Sequence, residues 1–404
     1  MLVCYGFPAP FAEKALPAPS AEPVVAAGTR VPGMVDPAPD PVAPAYEGPC
    51  VASLVPALLG PGERESREWL PAPALHPHQL VLMVVDGLGW YQLQERAKLA
   101  PGLASMTGGP ITSVAPTTTA AALTSITTGL SPAEHGMIGY RVQIGEGEVL
   151  NLLRWRTAAG DASGTVPPGA FQPQPAFAGT PVPAVTRSEF AATGFTAAHL
   201  SGSRLRGWRV ASSIGVEVER ALRAGEPFVY AYYDGLDKVA HEQGLGVHFE
   251  AELRFVDQLV EEVCNRLPPG AALLVTSDHG QVMVGNATIT LPPELLADLV
   301  LQSGEGRFRW LHARPGAIRR VADAAAALYG EVAWVMTREE LVEQGWFGGP
   351  LRPEVQRRLG DVALIARAPV AFNDPADPGE LTLASRHGSL TRDEMWVPLL
   401  AWAP

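Results

Sequence analysis

The sequence predicts an α/β fold with a mainly parallel central sheet flanked by helices. Three apolar segments carry this prediction: QLVLMVVD at residues 79–86, PFVYAYY at 227–233 and AALLVT at 271–276. Uninterrupted apolar runs of this length are typical of strands that are buried on both faces of a parallel sheet. Residues 250–267 have apolar positions at helical spacing, so they are predicted to form the crossover helix between the second and third strands.

Composition describes a globular protein without a strongly basic surface. The chain has 404 residues, 47% of them hydrophobic and 18% charged, which is enough for one large domain or two smaller ones. The net charge of −12 argues against a general nucleic-acid-binding surface. Cys4, Cys50 and Cys264 form no CxxC, so they predict neither a disulfide framework nor a cysteine metal site. The sequence predicts no membrane span and no signal peptide, and therefore a cytoplasmic protein.

The predicted domain organisation begins with a Pro/Ala-rich N-terminal arm at residues 1–50, which has little periodicity. The main domain is expected over residues 51–404, with its first helix at 51–59. A helix at 91–100, a strand at 111–115 and a further βα unit formed by 193–200 and 216–224 continue the alternation.

A small α/β lobe is predicted as an insertion at about residues 287–372. Helical patterns at 293–302, 319–329 and 338–344 alternate there with strand-like segments at 307–313 and 332–336. This segment is too long for a simple crossover between neighbouring strands.

The segment VAPTTTAAALTSITTGLSPAEHG, residues 114–136, places three hydroxyls directly before a run of helix-forming residues. Pro116 disfavours helix before it, so a helix should begin within or just after Thr117, Thr118 and Thr119, and Gly129 should end it. The start of a helix offers unpaired N–H groups and the positive end of the dipole, which favour a bound anion such as phosphate. Threonine is also a common N-cap, so this segment alone leaves both interpretations open.

Acidic and histidine side chains follow each of the three apolar strands. Asp86 ends the first, Asp237 and His241 follow the second, and Asp278 and His279 follow the third. The carboxyl ends of parallel strands are where α/β enzymes bind ligands. His and Asp are preferred ligands of zinc-like divalent ions, and the spacing of Asp237 and His241 puts both on one face of a helical turn.

Five segments in order resemble the alkaline phosphatase superfamily, and within it the type I phosphodiesterase or nucleotide pyrophosphatase branch, whose bacterial members are often called "alkaline phosphatase family protein". These segments are VVDGLG, APTTTAAALTSITTGLSPAEHG, LDKVAHEQG, VTSDHG and HGSLTRDEMWVPLL. The resemblance implies an alkaline phosphatase-like fold and two divalent metal ions, with Zn²⁺ as the expected metal. It assigns one ion to Asp237, His241 and His387, and the other to Asp86, Asp278 and His279.

The resemblance also implies a nucleophile and a reaction. The family places its nucleophile three residues after the proline and ten before the helix-ending glycine, which is Thr119, with Thr118 as the alternative. The implied activity is hydrolysis of phosphate diesters or nucleotide pyrophosphate bonds in a small molecule, through a phosphothreonine intermediate. A phosphomonoesterase or another phosphoryl-transfer enzyme of the superfamily is the first alternative, and a metal-bound scaffold without turnover is the second.

One departure from the family pattern affects substrate binding. The phosphodiesterases commonly carry a phosphate-binding Asn shortly after the HG of the nucleophile segment, where this chain has Tyr140 and Arg141. Asn151 lies further along the chain. These three residues are the candidates for substrate binding, and Arg141 could instead be the arginine clamp of a monoesterase.

Overall fold

The computed structural model describes residues 40–377 and 382–404, so residues 1–39 of the predicted N-terminal arm, with Cys4, lie outside the described residues. Within the described ranges, the strands form a seven-stranded central sheet, two four-stranded sheets and two strand pairs. Helices cover both faces of the central sheet. The predicted α/β architecture is therefore confirmed.

The strands of these ranges are, in chain order, β1 (Gln79–Val85), β2 (Thr107–Thr112), β3 (Arg141–Gly145), β4 (Glu148–Asn151), β5 (Arg156–Thr157), β6 (Gly160–Asp161), β7 (Pro183–Arg187), β8 (Arg204–Trp208), β9 (Phe228–Tyr233), β10 (Ala271–Thr276), β11 (Val282–Met283), β12 (Thr288–Ile289), β13 (Leu299–Glu305), β14 (Phe308–Ala313), β15 (Ala333–Thr337), β16 (Val362–Ala366), β17 (Ala371–Phe372), β18 (Ser385–Arg386) and β19 (Trp396–Trp402). The α-helices are α1 (Leu54–Leu59), α2 (Trp90–Glu95), α3 (Pro101–Ser105), α4 (Thr119–Thr128), α5 (Pro132–His135), α6 (Pro168–Phe171), α7 (Gly194–His199), α8 (Ser213–Arg223), α9 (Gly235–Gln243), α10 (Val247–Cys264), α11 (Pro293–Leu296), α12 (Ile318–Tyr329), α13 (Arg338–Glu343), α14 (Pro353–Gln356) and α15 (Arg392–Met395).

The central sheet has the strand order β2-β19-β10-β1-β9-β7-β8. Strand β19 is antiparallel to both of its neighbours, and the other neighbouring pairs are parallel. The three strands predicted from apolar runs, β1, β9 and β10, lie side by side at the centre. Their carboxyl ends therefore meet at one edge of the sheet, as the sequence predicts.

The residues of β1 alternate between two buried hydrophobic clusters, which explains why the whole strand is apolar. Leu80, Leu82 and Val84 belong to the cluster that includes helix α4. Val81, Met83 and Val85 belong to the cluster that includes helix α10. All ten residues of α4 are buried, so this helix is part of the core.

The second large sheet, β13-β14-β16-β15, is antiparallel and lies within the range predicted as an inserted lobe. One face packs against α12 in a separate cluster around Val321 and Leu364. The opposite face contributes Trp310 and Ile365 to the cluster that also contains α4. This sheet therefore packs directly on the core of the central sheet, while the division of the chain into domains stays a prediction.

Three segments differ from their predicted secondary structure. The helix predicted at 293–302 ends at Leu296, because residues 299–305 pair with β14 instead. The strand predicted at 111–115 lies slightly earlier, as β2, where it pairs with β19. Residues 194–199 form helix α7, and the flanking strands β7 and β8 come from short, partly polar segments, of which β8 forms one edge of the sheet.

His135 fixes the connection after α4, as its position in the AEHG motif suggests. Its Nδ1 accepts the N–H of Met137 at 3.0 Å, so the proton is on Nε2, which lies 2.9 Å from Ser125 Oγ. Burial lowers the pKa of His135 to about 3. The imidazole is therefore neutral in the folded protein at physiological pH.

Acid should destabilise the fold through His135, His199 and His312, because burial lowers their pKa values to about 3, about 4 and about 4 from an ordinary 6.5. Between these values the unfolded chain binds more protons than the folded chain. Stability is therefore fully present above pH 6.5 and decreases towards pH 4, by up to about 1 kcal/mol per pH unit for each histidine. Urea unfolding at several pH values should show a shallower dependence for His199→Gln than for the wild type. An unchanged dependence would contradict this explanation.

Candidate active site

The predicted metal ligands meet at the carboxyl edge of the central sheet. In the register of β1, Val85 is opposite Tyr233 of β9, and Val84 is opposite Thr276 of β10. The residues that follow these strands, Asp86 among them, are therefore neighbours. His387 follows β18, which pairs with β11 just after His279, and this pairing brings the last histidine to the same edge.

Asp86, Asp278 and His279 form one compact, buried group. Their ligand atoms lie within 4.8 Å of one another. His279 Nε2 is 3.4 Å from Asp86 Oδ1 and 3.4 Å from Asp278 Oδ2. Within the described part of the chain, no hydrogen bond reaches either of these two carboxylate oxygens. This is the set predicted for one of the two metal ions.

Asp237, His279 and His387 form a second group, also within 4.8 Å. His279 belongs to both groups, and its ring stacks on that of His387 with the centroids 3.5 Å apart. The predicted ligand His241 is close by, with Nε2 3.3 Å from Asp237 Oδ1 and its ring centroid 5.1 Å from that of His387. The six predicted ligands thus lie in one cluster, and their division between two ions stays a prediction.

All three histidines of the cluster are oriented by backbone carbonyls. The Nδ1 atoms of His241, His279 and His387 lie 2.7, 3.1 and 2.7 Å from the carbonyl oxygens of Ser385, Gly280 and Thr117. Nδ1 therefore carries the proton in each ring, and the lone pair of Nε2 faces the carboxylates. Histidines that ligate metals typically have this arrangement, because the carbonyl fixes both the tautomer and the orientation of the ring.

Burial is the main cause of the pKa shifts within the cluster. Burial raises the pKa of Asp86 well above its usual range, and the charges of Asp278 and Asp237 raise it further. Burial also raises the pKa of Asp278 to about 6 and lowers that of His279 to about 4. The pKa of His387 is lowered by burial and by the neighbouring imidazoles. Carboxylates and neutral imidazoles that converge on one small volume fit a divalent cation, which compensates their charge and uses their lone pairs.

The three consecutive threonines make three different sets of contacts. Thr118 is the N-cap of α4, and its Oγ1 accepts the N–H of Ala121 at 3.4 Å. Thr119 is the first helical residue, and its Oγ1 lies 3.2 Å from His279 Nε2. Thr117 contacts residues 387–389 instead. Thr118 thus caps the helix, while Thr119 faces the candidate metal centre; anion binding at this helix start stays a prediction.

Two polar residues that support the cluster are missed by reasoning from the sequence. Tyr232 donates its hydroxyl hydrogen to Asp86, and burial raises the pKa of this phenol, which keeps it a donor. Because Tyr232 belongs to an apolar strand, its sequence position indicates only a core residue. Gln281 donates its side-chain N–H to Asp237 Oδ1 at 2.5 Å and accepts the hydroxyl hydrogen of Ser385 at 2.7 Å. The sequence feature that could have identified Gln281 is its position, two residues after His279.

The predicted substrate-binding residues Arg141 and Asn151 lie on the other four-stranded sheet, β3-β4-β5-β6, and Tyr140 directly precedes β3. Arg141 and Asn151 are opposite each other on β3 and β4, and both line a cleft of about 740 Å³. The guanidinium of Arg141 is buried and contacts the carboxylates of Asp374 and Asp377. The backbone N–H of Tyr140 donates to Glu305 Oε2 at 3.1 Å. Because two carboxylates engage Arg141, its arrangement does not favour a phosphate clamp, and the substrate-binding roles of these residues stay predictions.

Residues 80–390 match the family model of the type I phosphodiesterases and nucleotide pyrophosphatases. The matched segment contains all six candidate ligands and Thr119. The chain belongs to this family. The resemblance seen in the sequence is thereby confirmed, and the protein is an enzyme, a hydrolase of the phosphodiesterase and nucleotide pyrophosphatase type. No curated protein sequence matches the chain.

Solved structures of similar fold agree with the family assignment. Murine ectonucleotide pyrophosphatase/phosphodiesterase 5 aligns with a TM-score of 0.60 and 16% identity, covering 81% of this chain and 88% of its own. An inactive threonine-to-alanine variant of that protein, in complex with AMP, gives a TM-score of 0.60 and 16% identity, covering 80% and 87%. Phosphonoacetate hydrolase from Sinorhizobium meliloti, in complex with phosphonoformate, gives 0.58 and 20%, covering 81% and 90%. At these identities the likeness establishes the fold that family members share.

The described residues contain no helix that is both long enough and apolar enough to cross a membrane.

Proposed function

We propose that this family member is a two-zinc phosphodiesterase or nucleotide pyrophosphatase that forms a phosphothreonine intermediate on Thr119. The observation that carries the proposal is the position of Thr119 Oγ1, 3.2 Å from His279 Nε2 within the six-residue ligand cluster. The hydroxyl stands at the start of a buried helix, directly beside the atoms that would hold a cation.

Asp86, Asp278 and His279 would hold one ion, and Asp237, His241 and His387 the other. Zn²⁺ is the favoured metal because the donor set combines imidazole nitrogens with carboxylate oxygens. When bound, such ions act as Lewis acids that lower the pKa of a nearby hydroxyl and neutralise the negative charge of a phosphoryl group. The buried carboxylate oxygens of Asp86 and Asp278 that receive no hydrogen bond from the described residues support this role.

Thr119 is the nucleophile in this proposal. Its Oγ1 attacks phosphorus: the bond from Oγ1 to phosphorus forms, the bond from phosphorus to the leaving oxygen breaks, and the proton lost by the hydroxyl is balanced by the proton that the leaving oxygen gains. Thr118 caps the N–H of Ala121, and the preceding N–H groups, those of Thr119 and Ala120, have no partner within the helix, so they can donate to the phosphoryl oxygens as charge develops. In the second step water attacks phosphorus, the bond to Oγ1 breaks and Thr119 is regenerated.

A nucleotide is the favoured substrate class. The AMP complex of the murine protein of similar fold supports this choice. The engagement of Arg141 by Asp374 and Asp377 favours a diester over a monoester, since a monoesterase would need that guanidinium for the dianionic phosphate. A cytoplasmic location is proposed from the sequence alone.

The test is the turnover of bis(p-nitrophenyl) phosphate and p-nitrophenyl phosphate by the purified protein, together with its metal content. We expect two zinc ions per chain and a kcat/KM at least about tenfold higher for the diester, which corresponds to roughly 1.4 kcal/mol of transition-state binding. Chelation should abolish turnover, and added Zn²⁺ should restore it. A preference for the monoester would favour the phosphomonoesterase alternative. If the protein binds zinc but turns over neither ester nor a nucleotide diester, the alternative of a metal-bound scaffold without turnover is favoured.

A further inference from the structure

The first threonine of the triplet, Thr117, is fully buried and is hydrogen-bonded to the segment that carries His387. Its backbone N–H donates to Gly388 O at 3.2 Å, and its hydroxyl donates to Ser389 O at 2.7 Å. The N–H of Gly388 donates to Thr117 Oγ1 at 3.0 Å, and Nδ1 of His387 lies 2.7 Å from Thr117 O. One residue thus makes four hydrogen bonds to three consecutive residues.

We infer that Thr117 is a positioning residue for His387, an inference that rests on the metal centre of the proposed function. The carbonyl of Thr117 fixes the tautomer of His387, and the hydroxyl of Thr117 fixes the backbone on which His387 is carried. Contacts of this kind around a ligating histidine typically contribute 10–100-fold to metal affinity. The proposed nucleophile lies two residues further along, so the same short segment sets the geometry of both Thr119 and His387.

The segment after His387 depends on such contacts because its backbone conformation is unusual. Gly388 has a φ of +125°, and a Cβ at this position would lie 2.6 Å from the Cγ of Glu305. A side chain is therefore excluded there on two grounds, the backbone angle and the available space. Gly388 supplies no side-chain contact of its own, so the hydrogen bonds to Thr117 hold this part of the chain.

The far side of the same segment is held by Glu394. Its carboxylate accepts the N–H of Ser389 at 2.9 Å and the hydroxyl hydrogen of Thr391 at 2.5 Å. Arg307, at the turn between β13 and β14, pairs with this carboxylate at 2.8 Å, and both side chains are fully buried. The segment that carries His387 is therefore held by the start of α4 on one side and by the sheet β13-β14-β16-β15 on the other.

Thr117→Val and Thr117→Ser form the matched pair that tests the inference. Valine keeps the shape of threonine but loses the hydroxyl, whereas serine keeps the hydroxyl and both of its hydrogen bonds. We expect Thr117→Val to bind Zn²⁺ roughly 10–100-fold more weakly in a chelator competition, and to lose kcat while KM changes little. Thr117→Ser should stay within about threefold of the wild type in metal affinity. Equal affinities of the valine variant and the wild type would overturn the inference.

Thr127→Val controls for a general loss of stability. Thr127 is also buried and belongs to α4, and its hydroxyl donates to Leu123 O at 2.9 Å and His199 O at 2.7 Å, away from the ligand cluster. This variant should lose stability comparably and keep its metal affinity. A loss of affinity as large as that of Thr117→Val would overturn the positioning role. If the wild-type protein binds zinc but cleaves no phosphate ester, the proposed function is contradicted. The positioning role of Thr117 is still decided in that case, because its test is the zinc affinity of the variants.

Discussion

Thr119→Ala is expected to lower kcat for diester hydrolysis by roughly 10⁴-fold or more, because the variant lacks the only group proposed to form the covalent intermediate. KM should change little, since the ligand cluster and the start of α4 remain in place. Metal content should also stay at the wild-type value, because Thr119 Oγ1 is one contact among the many that fill the site. Steady-state kinetics give kcat and KM of the variant, and zinc analysis of the same preparation gives its metal content.

Two neighbouring variants make this prediction specific. Thr119→Ser keeps a hydroxyl and should retain measurable turnover, with a phosphorylated serine detectable by mass spectrometry after acid quenching. Thr118→Ala removes the N-cap bond to Ala121 and should cost about 1 kcal/mol of stability without a comparable loss of kcat. Full activity in Thr119→Ala and its loss in Thr118→Ala would transfer the nucleophile to Thr118.

Arg307→Met is expected to lower the free energy of unfolding by about 3–5 kcal/mol, because it leaves the buried carboxylate of Glu394 without its positive partner. Arg307 also donates to the carbonyl oxygens of Ala368 and Val370, at 2.9 and 2.8 Å, and methionine cannot replace these bonds. Urea unfolding, followed by fluorescence of the nine tryptophans, measures the change.

A partly exposed ion pair and a double variant serve as comparisons. Arg67→Met removes the partner of Glu63 at the surface and should change stability by less than about 1 kcal/mol. Arg307→Met combined with Glu394→Gln should recover part of the loss, since no buried charge then remains unpaired. Equal effects of Arg67→Met and Arg307→Met would mean that the buried pair has no special role.

The centre of the fold could be predicted from the sequence because its signals are local. The strands β1, β9 and β10 are almost entirely apolar, Asp86 follows β1 directly, and the Asp278–His279 pair follows β10 after one residue. Strand β8 forms one edge of the sheet, next to β7, and its partly polar sequence gives a weak pattern. The first part of strand β13, residues 299–302, was wrongly predicted as helix because its conformation depends on pairing with β14, a contact that no local pattern reports.

The candidate ligands could also be named from the sequence, since a short ordered series of motifs carries them. The contacts of the three threonines could not be predicted, because they depend on which residue begins α4 and on where residues 387–389 lie. Gln281 and Tyr232 were missed for the same reason, since each supports the site through a partner that is distant in sequence.

The complete burial of the ten residues of helix α4 limits where the enzyme can change its substrate specificity. A helix enclosed in this way opens only when much of the core opens, so its amide protons should be among the slowest in the protein to exchange with deuterium. The proposed nucleophile, Thr119, is the first residue of this buried helix. Changes in specificity are then expected at exposed positions, such as Arg154 and Arg156 of the cleft, while the proposed nucleophile keeps its place.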